Sequence, residues 1–375
     1  MRNFDLIIVG ASFAGLSCAR TAALRGLKVA VVERKTDPGA HIHTTGILVK
    51  EAAEEADIPA ALTRRIRGVR LYAPNGNHTD QWAPGYYFLA TDTPALMRWL
   101  SDEAARAGAE ILHGRRFYGG DVSDGSVKLH DLGLKAPLLI GADGATSAVA
   151  RAFGLDRNTQ FLAGAEWELA PDANLDPRFL HCVLDSAVAP GYIGWAVPGV
   201  SSVQLGVAAR SPKKPEPGNF LNRYASKLGL KDISTSGTRS GLIPIGGPLK
   251  YTARGPIMLI GDAAGHCSPL TGGGITLALR LGRRTAQLAF DWLNAGGEHP
   301  ARAITREVPR FRTKSLMRAV LDLSPPDWIW NLSVGASPFH HLVRAIYFHR
   351  RGSNNELPFE DLVRYGACQE TAKPQ

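Results

Sequence analysis

The strongest constraint on the fold is a glycine-rich segment that lies between an apolar strand and a helix near the N-terminus. Residues 5–9 have the short, β-branched composition of a buried parallel strand, and Gly-Ala-Ser-Phe-Ala-Gly follows at once over 10–15. Residues 14–25 are rich in Ala, Leu and Arg and predict a helix, and residues 28–33 predict a second strand. This order predicts a β-α-β unit.

The same segment has the features of a dinucleotide-binding fingerprint. Gly10 permits a tight turn, and Gly15 lets the helix pack closely on the strand. The helix N-terminus offers N–H groups and a positive dipole end to a pyrophosphate, and Glu33 can accept hydrogen bonds from ribose hydroxyls. Ser12 replaces the usual second glycine, so we expect the pyrophosphate slightly farther from the backbone. This segment alone does not separate NAD from FAD.

Two later segments also place small residues after an apolar strand. One is Gly-Ala-Asp-Gly-Ala-Thr-Ser over 141–147, and the other is the glycine-rich stretch over 261–275. Asp262 follows its strand directly, where a carboxylate can hold a sugar-like polyol. The three glycines over 272–274 would let the backbone approach a flat ring, and a helix is predicted from about 274 to 295.

Composition excludes several classes of protein. The 375 residues predict two domains, and 45% hydrophobic with 21% charged residues is a globular composition rather than that of a disordered chain or a coiled coil. The cysteines, which have no metal-ligand spacing, predict a reducing compartment and no metal site: Cys18, Cys182, Cys267 and Cys368. The chain starts without a signal-peptide pattern and has no run of about 18 apolar residues, so we expect a cytoplasmic protein.

The net charge of +9 is compatible with several anionic partners. No helix-turn-helix, zinc-finger or RNA-binding signature is present in the sequence, so we expect no nucleic-acid partner. Six Lys or Arg and one acid lie over 302–318. This stretch predicts either a solvated helix face or contact with anionic lipid headgroups at a membrane surface, and the sequence leaves both open.

The three motifs, in this order, resemble the flavoproteins of the p-hydroxybenzoate hydroxylase fold over about residues 5–290. The resemblance implies FAD as the cofactor. It places the first motif and Glu33 at the ADP half, Asp143 near the pyrophosphate or the approach of a pyridine nucleotide, and Asp262 at the ribityl chain. The full set of expected cofactor-binding residues is Gly10, Ser12, Ala14, Gly15, Glu33, Arg34, Asp143, Asp262, Gly272, Gly273 and Gly274.

Within that superfamily the chain is most similar to the geranylgeranyl reductase family. The Gly-Asp-Ala-Ala-Gly segment over 261–265 and the Pro-Leu-Thr-Gly-Gly-Gly-Ile segment over 269–275 resemble that branch, whereas aromatic hydroxylases usually carry His at position 265. Trp-Ala-Val-Pro over 195–198, with Gly206 eight residues later, resembles the substrate-cavity motif aromatic-x-Trp-x-Phe-Pro. The chain departs from the family at Ile193, Val197, Thr93 and over 43–46.

We therefore predict an α/β protein: an FAD-binding Rossmann-like domain with an inserted, mostly antiparallel β-sheet substrate domain and a helical C-terminal segment that is interrupted near Pro325. The predicted domain bounds are 1–66, 94–160 and 250–295 for the discontinuous FAD-binding domain, 67–93 and 161–249 for the substrate domain, and 296–375 for the helical segment.

The resemblance implies an enzyme that reduces carbon–carbon double bonds of a prenyl lipid or another hydrophobic substrate. Trp195, with Tyr192 beside it, would line the cavity, and His43 and His266 are the candidate proton donors. An external electron donor is expected, either NAD(P)H or a reduced carrier protein, because no second β-α-β fingerprint is present. The alternatives are an FAD-dependent monooxygenase of an aromatic or alkene substrate and a flavin-binding protein without enzymatic activity.

Overall fold

The structure is a computed structural model that describes residues 1–171, 174–231 and 233–348. The chain forms two compact units: unit 1 comprises Met1–Ile42, Thr93–Phe161 and Leu242–Arg318, and unit 2 comprises His43–Asp92, Leu162–Gly241 and the chain from Ala319 onward. The units differ from the predicted domains, since 43–66 lies in unit 2 and 242–249 lies in unit 1. Cys368 and the last part of the predicted helical segment, 349–375, lie outside the described residues.

Short strands make up four sheets. The strands are β1 (Arg2–Asn3), β2 (Leu6–Val9), β3 (Val29–Val32), β4 (Ile47–Val49), β5 (Thr63–Ile66), β6 (Gly68–Tyr72), β7 (His78–Trp82), β8 (Phe88–Thr91), β9 (Glu110–Leu112), β10 (Asp121–Ser123), β11 (Ser126–Leu129), β12 (Leu134–Ala136), β13 (Leu139–Gly141), β14 (Phe161–Leu169), β15 (Phe179–Val183), β16 (Gly194–Pro198), β17 (Val203–Arg210), β18 (Thr235–Pro244), β19 (Ala253–Arg254) and β20 (Ile257–Leu259).

Helices connect and cover these sheets, and short 3₁₀ turns lie at Ala60–Leu62, His130–Leu132 and Gly261–Ala264. The α-helices are α1 (Phe13–Leu24), α2 (Lys50–Ala56), α3 (Thr93–Arg106), α4 (Ala148–Ala152), α5 (Pro217–Leu228), α6 (Ile275–Ala295), α7 (Pro300–Glu307), α8 (Arg312–Asp322), α9 (Asp327–Ser333) and α10 (Ser337–Tyr347).

Unit 1 is built on a six-stranded sheet in the order β19-β20-β13-β2-β3-β9. All of its pairs from β20 to β9 are parallel, and only β19 pairs antiparallel. The four residues of β2 and of β3 are all buried, as expected of strands covered on both faces. The predicted β-α-β start is confirmed as β2, α1 and β3. A second sheet, β1-β12-β11-β10, completes the unit.

Unit 2 is built on a seven-stranded sheet in the order β18-β14-β17-β16-β15-β6-β7. The pairs from β14 to β15 are antiparallel, and β15 pairs with β6 in parallel. Phe220 and Tyr224 of α5 are buried against one face, where the ring of Phe220 would lie 2.6 Å from a Cβ at Gly194. The predicted antiparallel region is thereby confirmed. A smaller sheet, β4-β8-β5, also belongs to this unit.

From residue 300 to residue 347 the described chain is mainly helical, as predicted. The predicted interruption lies between α8 and α9, where Pro325 and Pro326 stand. Both helices expose apolar side chains, among them Leu316 and Trp328. Within the described residues, no helix combines the length and the apolar character that crossing a bilayer requires.

Candidate active site

The turn between β2 and α1 depends on two glycines. Gly10 has φ +105°, and a Cβ there would lie 2.4 Å from the carbonyl oxygen of Ala142. A Cβ at Gly15 would lie 1.9 Å from the carbonyl oxygen of Gly10. Both obstacles are backbone atoms, so neither can rotate away. The glycines therefore allow β2, α1 and the loop after β13 to pack at a distance that no side chain permits.

Glu33 holds the loop that precedes α1. Its carboxylate is buried, and it accepts hydrogen bonds from the backbone N–H of Ala11 at 2.7 Å and of Lys35 at 2.9 Å. Each carboxylate oxygen accepts one of these bonds and keeps a second lone pair for a further donor, such as a hydroxyl. Arg34, the neighbouring residue of the predicted set, is exposed.

The first turn of α1 is not capped by a side chain. Ser12 is the N-cap residue, and its hydroxyl makes no capping hydrogen bond. Ala14 is buried under this turn, and a Cβ at Gly282 of α6 would lie 2.5 Å from its carbonyl oxygen. The free N–H groups of this turn and the positive end of the helix dipole suit a phosphate group.

Asp143 has a different environment, because its carboxylate caps α4. It accepts hydrogen bonds from the hydroxyl of Ser147 at 2.6 Å and from the backbone N–H of Ala148 at 2.6 Å and of Val149 at 3.1 Å. Ser147 in turn accepts from the N–H of Ala150. All three donors to the Asp143 carboxylate lie within six residues of it, as is usual for a helix cap. The predicted contact of Asp143 with a cofactor stays a prediction.

Asp262 lies in the 3₁₀ turn after β20. Burial raises the pKa of its carboxyl to about 6. No hydrogen bond to this carboxyl group comes from the residues that the structure describes, although the carbonyl oxygen of Asp262 accepts from the side-chain amide of Asn158 at 2.8 Å. A partly buried carboxyl group without a partner among the described residues indicates a ligand that supplies hydrogen-bond donors.

The glycine stretch leads into the N-terminus of α6. Gly272 has φ +63°, and its N–H donates to the carbonyl oxygen of Ser268 at 3.0 Å. Gly274 is the N-cap residue of α6, so no side chain caps this helix, and a Cβ there would lie 3.0 Å from Oδ1 of Asp262. The turn therefore brings a second uncapped helix N-terminus next to the Asp262 carboxyl.

His266 and Cys267 follow Asp262 and are both buried. Burial lowers the pKa of His266 to about 4, so its imidazole is neutral near pH 7, and Nδ1 has no hydrogen-bond partner among the described residues. Burial raises the pKa of the Cys267 thiol, so this residue is a packed thiol and not a thiolate. The predicted role of His266 as a proton donor stays a prediction.

These features of unit 1 fit FAD. Two uncapped helix N-termini, two glycines in close backbone contact and the partnerless carboxyl of Asp262 give binding partners to a pyrophosphate and to a polyol chain. Among the described residues, no group of three or more His, Cys, Asp or Glu has the arrangement of a metal site.

In unit 2, Trp195 lies in a row of residues that crosses the seven-stranded sheet. Trp195 on β16 pairs with Gly206 on β17, and Gly206 pairs with Glu166 on β14. A Cβ at Gly206 would lie 2.4 Å from Cζ2 of the indole, so the indole covers the space above the glycine. On the other side of Trp195, Cys182 and Leu71 continue the row and are buried in an apolar cluster.

The indole reaches Glu166, which is buried and has two hydrogen bonds. Oε2 accepts from Nε1 of Trp195 at 2.8 Å and from the hydroxyl of Thr45 at 2.6 Å. Nη1 of Arg239 lies 3.7 Å from Oε1, and Arg239 also pairs with Glu168. Burial raises the pKa of Glu166 although Thr45, Trp195 and Arg239 act in the opposite direction.

The structure places the other predicted catalytic residues as follows. His43 is exposed, and its Nδ1 lies 2.7 Å from the carbonyl oxygen of Ser240. Nη1 of Arg239 also donates to the carbonyl oxygen of Thr44, so the 43–45 segment and Trp195 meet at Glu166. Tyr192 is half-buried in the turn before β16. His266 belongs to the other unit.

The sequence analysis missed Glu166, Thr45 and Arg239. One signal was present: alternation along β14 puts Glu166 and Glu168 on the same face, two charged residues in a strand that is otherwise mostly apolar. Nothing local to the sequence indicates their partners, because Thr45 is 121 residues away and Trp195 is 29 residues away.

Comparisons with known proteins agree with this geometry. Residues 5–158 match the model of the family described as FAD dependent oxidoreductase. A digeranylgeranylglycerophospholipid reductase of Methanosarcina acetivorans is 29% identical over 313 residues, which cover 78% of this chain and 76% of that protein. Digeranylgeranylglycerophospholipid reductase 2 of Methanothermobacter thermautotrophicus is 27% identical over 83% of this chain and 84% of that protein.

Solved structures share the fold. A geranylgeranyl bacteriochlorophyll reductase-like protein from Thermoplasma acidophilum has a TM-score of 0.81 with 20% identity, covering 93% of this chain and 98% of that chain. The p-nitrophenol 4-monooxygenase of Pseudomonas putida has a TM-score of 0.72 with 14% identity, covering 94% of this chain and 100% of that chain. At these identities the likeness shows the fold, which reductases and monooxygenases share.

Proposed function

We propose that this chain, a geranylgeranyl reductase-like FAD-dependent oxidoreductase, reduces carbon–carbon double bonds in the prenyl chains of a lipid. The observation that carries the proposal is the face of the seven-stranded sheet that bears Trp195. There the half-buried indole packs at the edge of an apolar cluster, an environment that suits an isoprenoid chain. The two relatives described above, both digeranylgeranylglycerophospholipid reductases, support this substrate class.

In this proposal unit 1 holds the cofactor. The first turn of α1 binds the pyrophosphate, Glu33 accepts from the ribose, and Asp262 accepts from the ribityl hydroxyls. Gly272, Gly273 and Gly274 would lie beside the flavin ring. Reduced FAD supplies the hydride for an alkene, and an external donor, NAD(P)H or a reduced carrier protein, supplies the electrons to FAD.

Unit 2 orients the alkene and keeps water from it. An unactivated double bond offers no charge for an enzyme to stabilise, so shape and a dry site must position it. Trp195 provides a flat apolar surface, and Tyr192 lies three residues before it in the chain. His43, which is exposed, is the residue of the predicted set that is accessible for exchanging a proton with solvent.

The test is anaerobic. Chemically reduced enzyme is incubated with an extract of prenyl lipids and quinones, and the products are measured by mass spectrometry. A gain of two hydrogens on a prenyl lipid is the expected result. No gain anaerobically, with one added oxygen when the incubation is repeated in air, would replace reduction by oxygenation.

A pair of tryptophan variants assigns the activity to the sheet face. We expect Trp195→Leu to lose most of the reduction with its FAD content unchanged. Trp292→Leu is the matched control, because Trp292 packs against His299 within unit 1. Equal activity of the two variants would contradict the placement of the substrate at Trp195.

We also propose that the protein contacts an anionic membrane surface, where a prenyl lipid would be found. Arg302, Arg306, Arg310 and Arg312 are exposed, although Arg306 also pairs with Glu298, and Leu316 and Leu323 of the following region expose 69% and 81% of their surface. Arg318 is buried, so it does not belong to this basic surface. Basic and apolar side chains together are typical of interfacial binding.

Flotation with vesicles tests the membrane contact. The protein is expected to float with anionic vesicles and not with zwitterionic ones, and the double variant Leu316→Ser/Leu323→Ser is expected to reduce flotation. Leu24→Ser is the matched control, because Leu24 is 62% exposed at the end of α1. A wild-type protein that stays with the unbound fraction at low salt would contradict this proposal.

A further inference from the structure

The indole of Trp195 is the largest side chain in the row that crosses the seven-stranded sheet, and its orientation is tightly constrained. The row runs Cys182, Trp195, Gly206, Glu166 across β15, β16, β17 and β14. Residues that pair directly across antiparallel strands point to the same face of a sheet. The indole therefore extends from β16 over the backbone of β17 toward β14.

Position 206 admits this orientation only as glycine. A Cβ there would lie 2.4 Å from Cζ2, 2.5 Å from Cε2 and 2.8 Å from Nε1 of the indole. The edge of the indole that carries Nε1 therefore lies directly above Gly206. From this position the N–H reaches across the width of one strand to Oε2 of Glu166 at 2.8 Å.

Glu166 is itself held from several sides. Thr45 donates to the same Oε2, and Arg239 on β18 lies near Oε1 while it pairs with Glu168, the other charged residue on this part of β14. The Oε1 atom is buried and has no hydrogen-bond partner among the described residues. Only 4% of the surface of Glu166 is exposed, and a buried carboxyl group is costly unless it is paired, so the two hydrogen bonds at Oε2 offset part of that cost.

We propose that Glu166 is a positioning residue that fixes the Trp195 indole above Gly206, so that the indole forms a surface of set position for the substrate. The proposal rests on the proposed function for what the surface is used for, whereas the fixation itself stands on the geometry. Without an acceptor at position 166, the indole N–H loses its buried partner and the ring can rotate about χ1 and χ2 away from the glycine.

The test reads the indole directly in the FAD-bound, full-length protein. Tryptophan is labelled with ¹⁵N in the indole, and the Trp195 signal is identified by its loss in Trp195→Phe. In Glu166→Met, which keeps the volume but accepts no hydrogen bond, we expect the Trp195 N–H signal to move upfield and to exchange with solvent about tenfold faster. Glu166→Gln, whose amide oxygen still accepts, is expected to keep the signal close to that of the wild type.

Glu168→Gln is the matched control, because it changes the other carboxylate beside Arg239 and leaves the hydrogen bond between Trp195 and Glu166 in place. If Glu166→Met does not fold, Glu166→Ala and Thr45→Val are measured in its place, and a shift of the Trp195 signal is expected in both. A Trp195 signal that stays unchanged in a folded Glu166→Met or Glu166→Ala protein would overturn the proposal.

Kinetics then separate this proposal from the proposed function. With FAD content unchanged, we expect Glu166→Met to raise KM for the prenyl lipid about tenfold, and the double variant with Trp195→Phe to lose no more than Trp195→Phe alone. If the effects of Glu166→Met and Trp195→Phe on the KM were fully additive in the double variant, the proposal would be overturned. A wild-type enzyme that reduces no prenyl lipid would instead count against the proposed function, while the indole signals would still decide the role of Glu166.

Discussion

Carboxyl groups in the two units accept hydrogen bonds from different kinds of donor. In unit 1, Glu33 and Asp143 accept hydrogen bonds from backbone N–H groups, most of them within six residues along the chain. In unit 2, Glu166 accepts from two side chains that lie 121 and 29 residues away. The backbone hydrogen bonds of unit 1 join residues that are mostly close in the sequence, so short motifs encode them. The side-chain hydrogen bonds of unit 2 form only after the sheet has brought distant residues together.

The same contrast holds for the glycines. A Cβ at Gly15 of unit 1 would lie 1.9 Å from a carbonyl oxygen, and a Cβ at Gly206 of unit 2 would lie 2.4 Å from an indole carbon. A carbonyl oxygen within a strand–helix turn is fixed by the backbone and cannot move away from an added Cβ, whereas an indole can rotate about its side-chain bonds. Substitution of Gly15 in unit 1 should therefore impair folding and cofactor binding, and substitution of Gly206 in unit 2 should weaken substrate binding.

The largest effect is expected from Gly15→Ala. Because the added Cβ meets the backbone of Gly10, either α1 moves off the sheet or the turn opens, and both remove the FAD site. We expect no flavin-containing protein in the soluble fraction, measured by absorbance at 450 nm. A soluble yellow Gly15→Ala protein would contradict the contrast between the two glycines.

Asp262→Asn should separate cofactor binding from stability. Loss of a charged acceptor of hydrogen bonds costs about 1.5–3 kcal/mol, which corresponds to roughly 10–100-fold weaker FAD binding. Titration calorimetry with the FAD-free protein measures this effect. Unchanged affinity would show that Asp262 does not contact the cofactor.

The same variant has a pH-dependent effect on the FAD-free protein. The folded pKa of Asp262 is raised to about 6, above its ordinary value, so the stability it contributes is complete below about pH 4 and is lost as the pH rises through 6. The free energy of unfolding of Asp262→Asn should therefore exceed that of the wild type at pH 8, by about 3 kcal/mol, and not at pH 4. Urea unfolding at both values measures the difference, and an equal gap at the two values would refute it.

Gly206→Ala should leave unit 1 intact and act on the substrate. The added Cβ displaces the Trp195 indole, so we expect normal FAD content and a KM for the prenyl lipid raised about tenfold. Gly335→Ala is the control in the same unit, because a Cβ there meets nothing within 4 Å. Loss of FAD from Gly206→Ala would contradict the separate roles of the two units.

The smallest effect is expected from Asp143→Ala. Removing the cap of α4 costs about 1–2 kcal/mol, which lowers Tm by a few degrees. We expect little change in FAD affinity, because three of the four lone pairs of the carboxylate are already taken by Ser147, Ala148 and Val149. A drop in affinity comparable to that of Asp262→Asn would place Asp143 at the cofactor, as the sequence resemblance implies.

Much of unit 1 could be predicted because its information is local. The order of strand, glycines and helix identifies β2, α1 and β3 within one or two residues, and the strands before the two later motifs and the helix after the second were also predicted. The local capping role of Asp143 was not foreseen, since its carboxylate lies in the same type of motif as Asp262 and differs only in having Ser147 four residues later.

The site in unit 2 could be predicted only in part. The motif drew attention to Trp195 and Gly206, but the reason for their spacing is the pairing of β16 with β17, which the sequence does not show. Glu166 is one of two acids in an ordinary alternating strand, and its buried environment depends on Thr45 and on β18. Long-range register, rather than residue type, was the missing information.

The overlap of the indole with position 206 has a consequence for redesigning the enzyme. The side chain of residue 195 occupies the space above residue 206. One bulky side chain, on either β16 or β17, can therefore fill this space, but two cannot. Combining Trp195→Ala with a larger residue at position 206 would move the bulky side chain from β16 to β17. The face of the sheet would then have less room for a substrate above β17 and more room above β16. Under the proposed function, the length of isoprenoid that fits against this face would then be adjustable with two codons, neither of which lies in a cofactor motif.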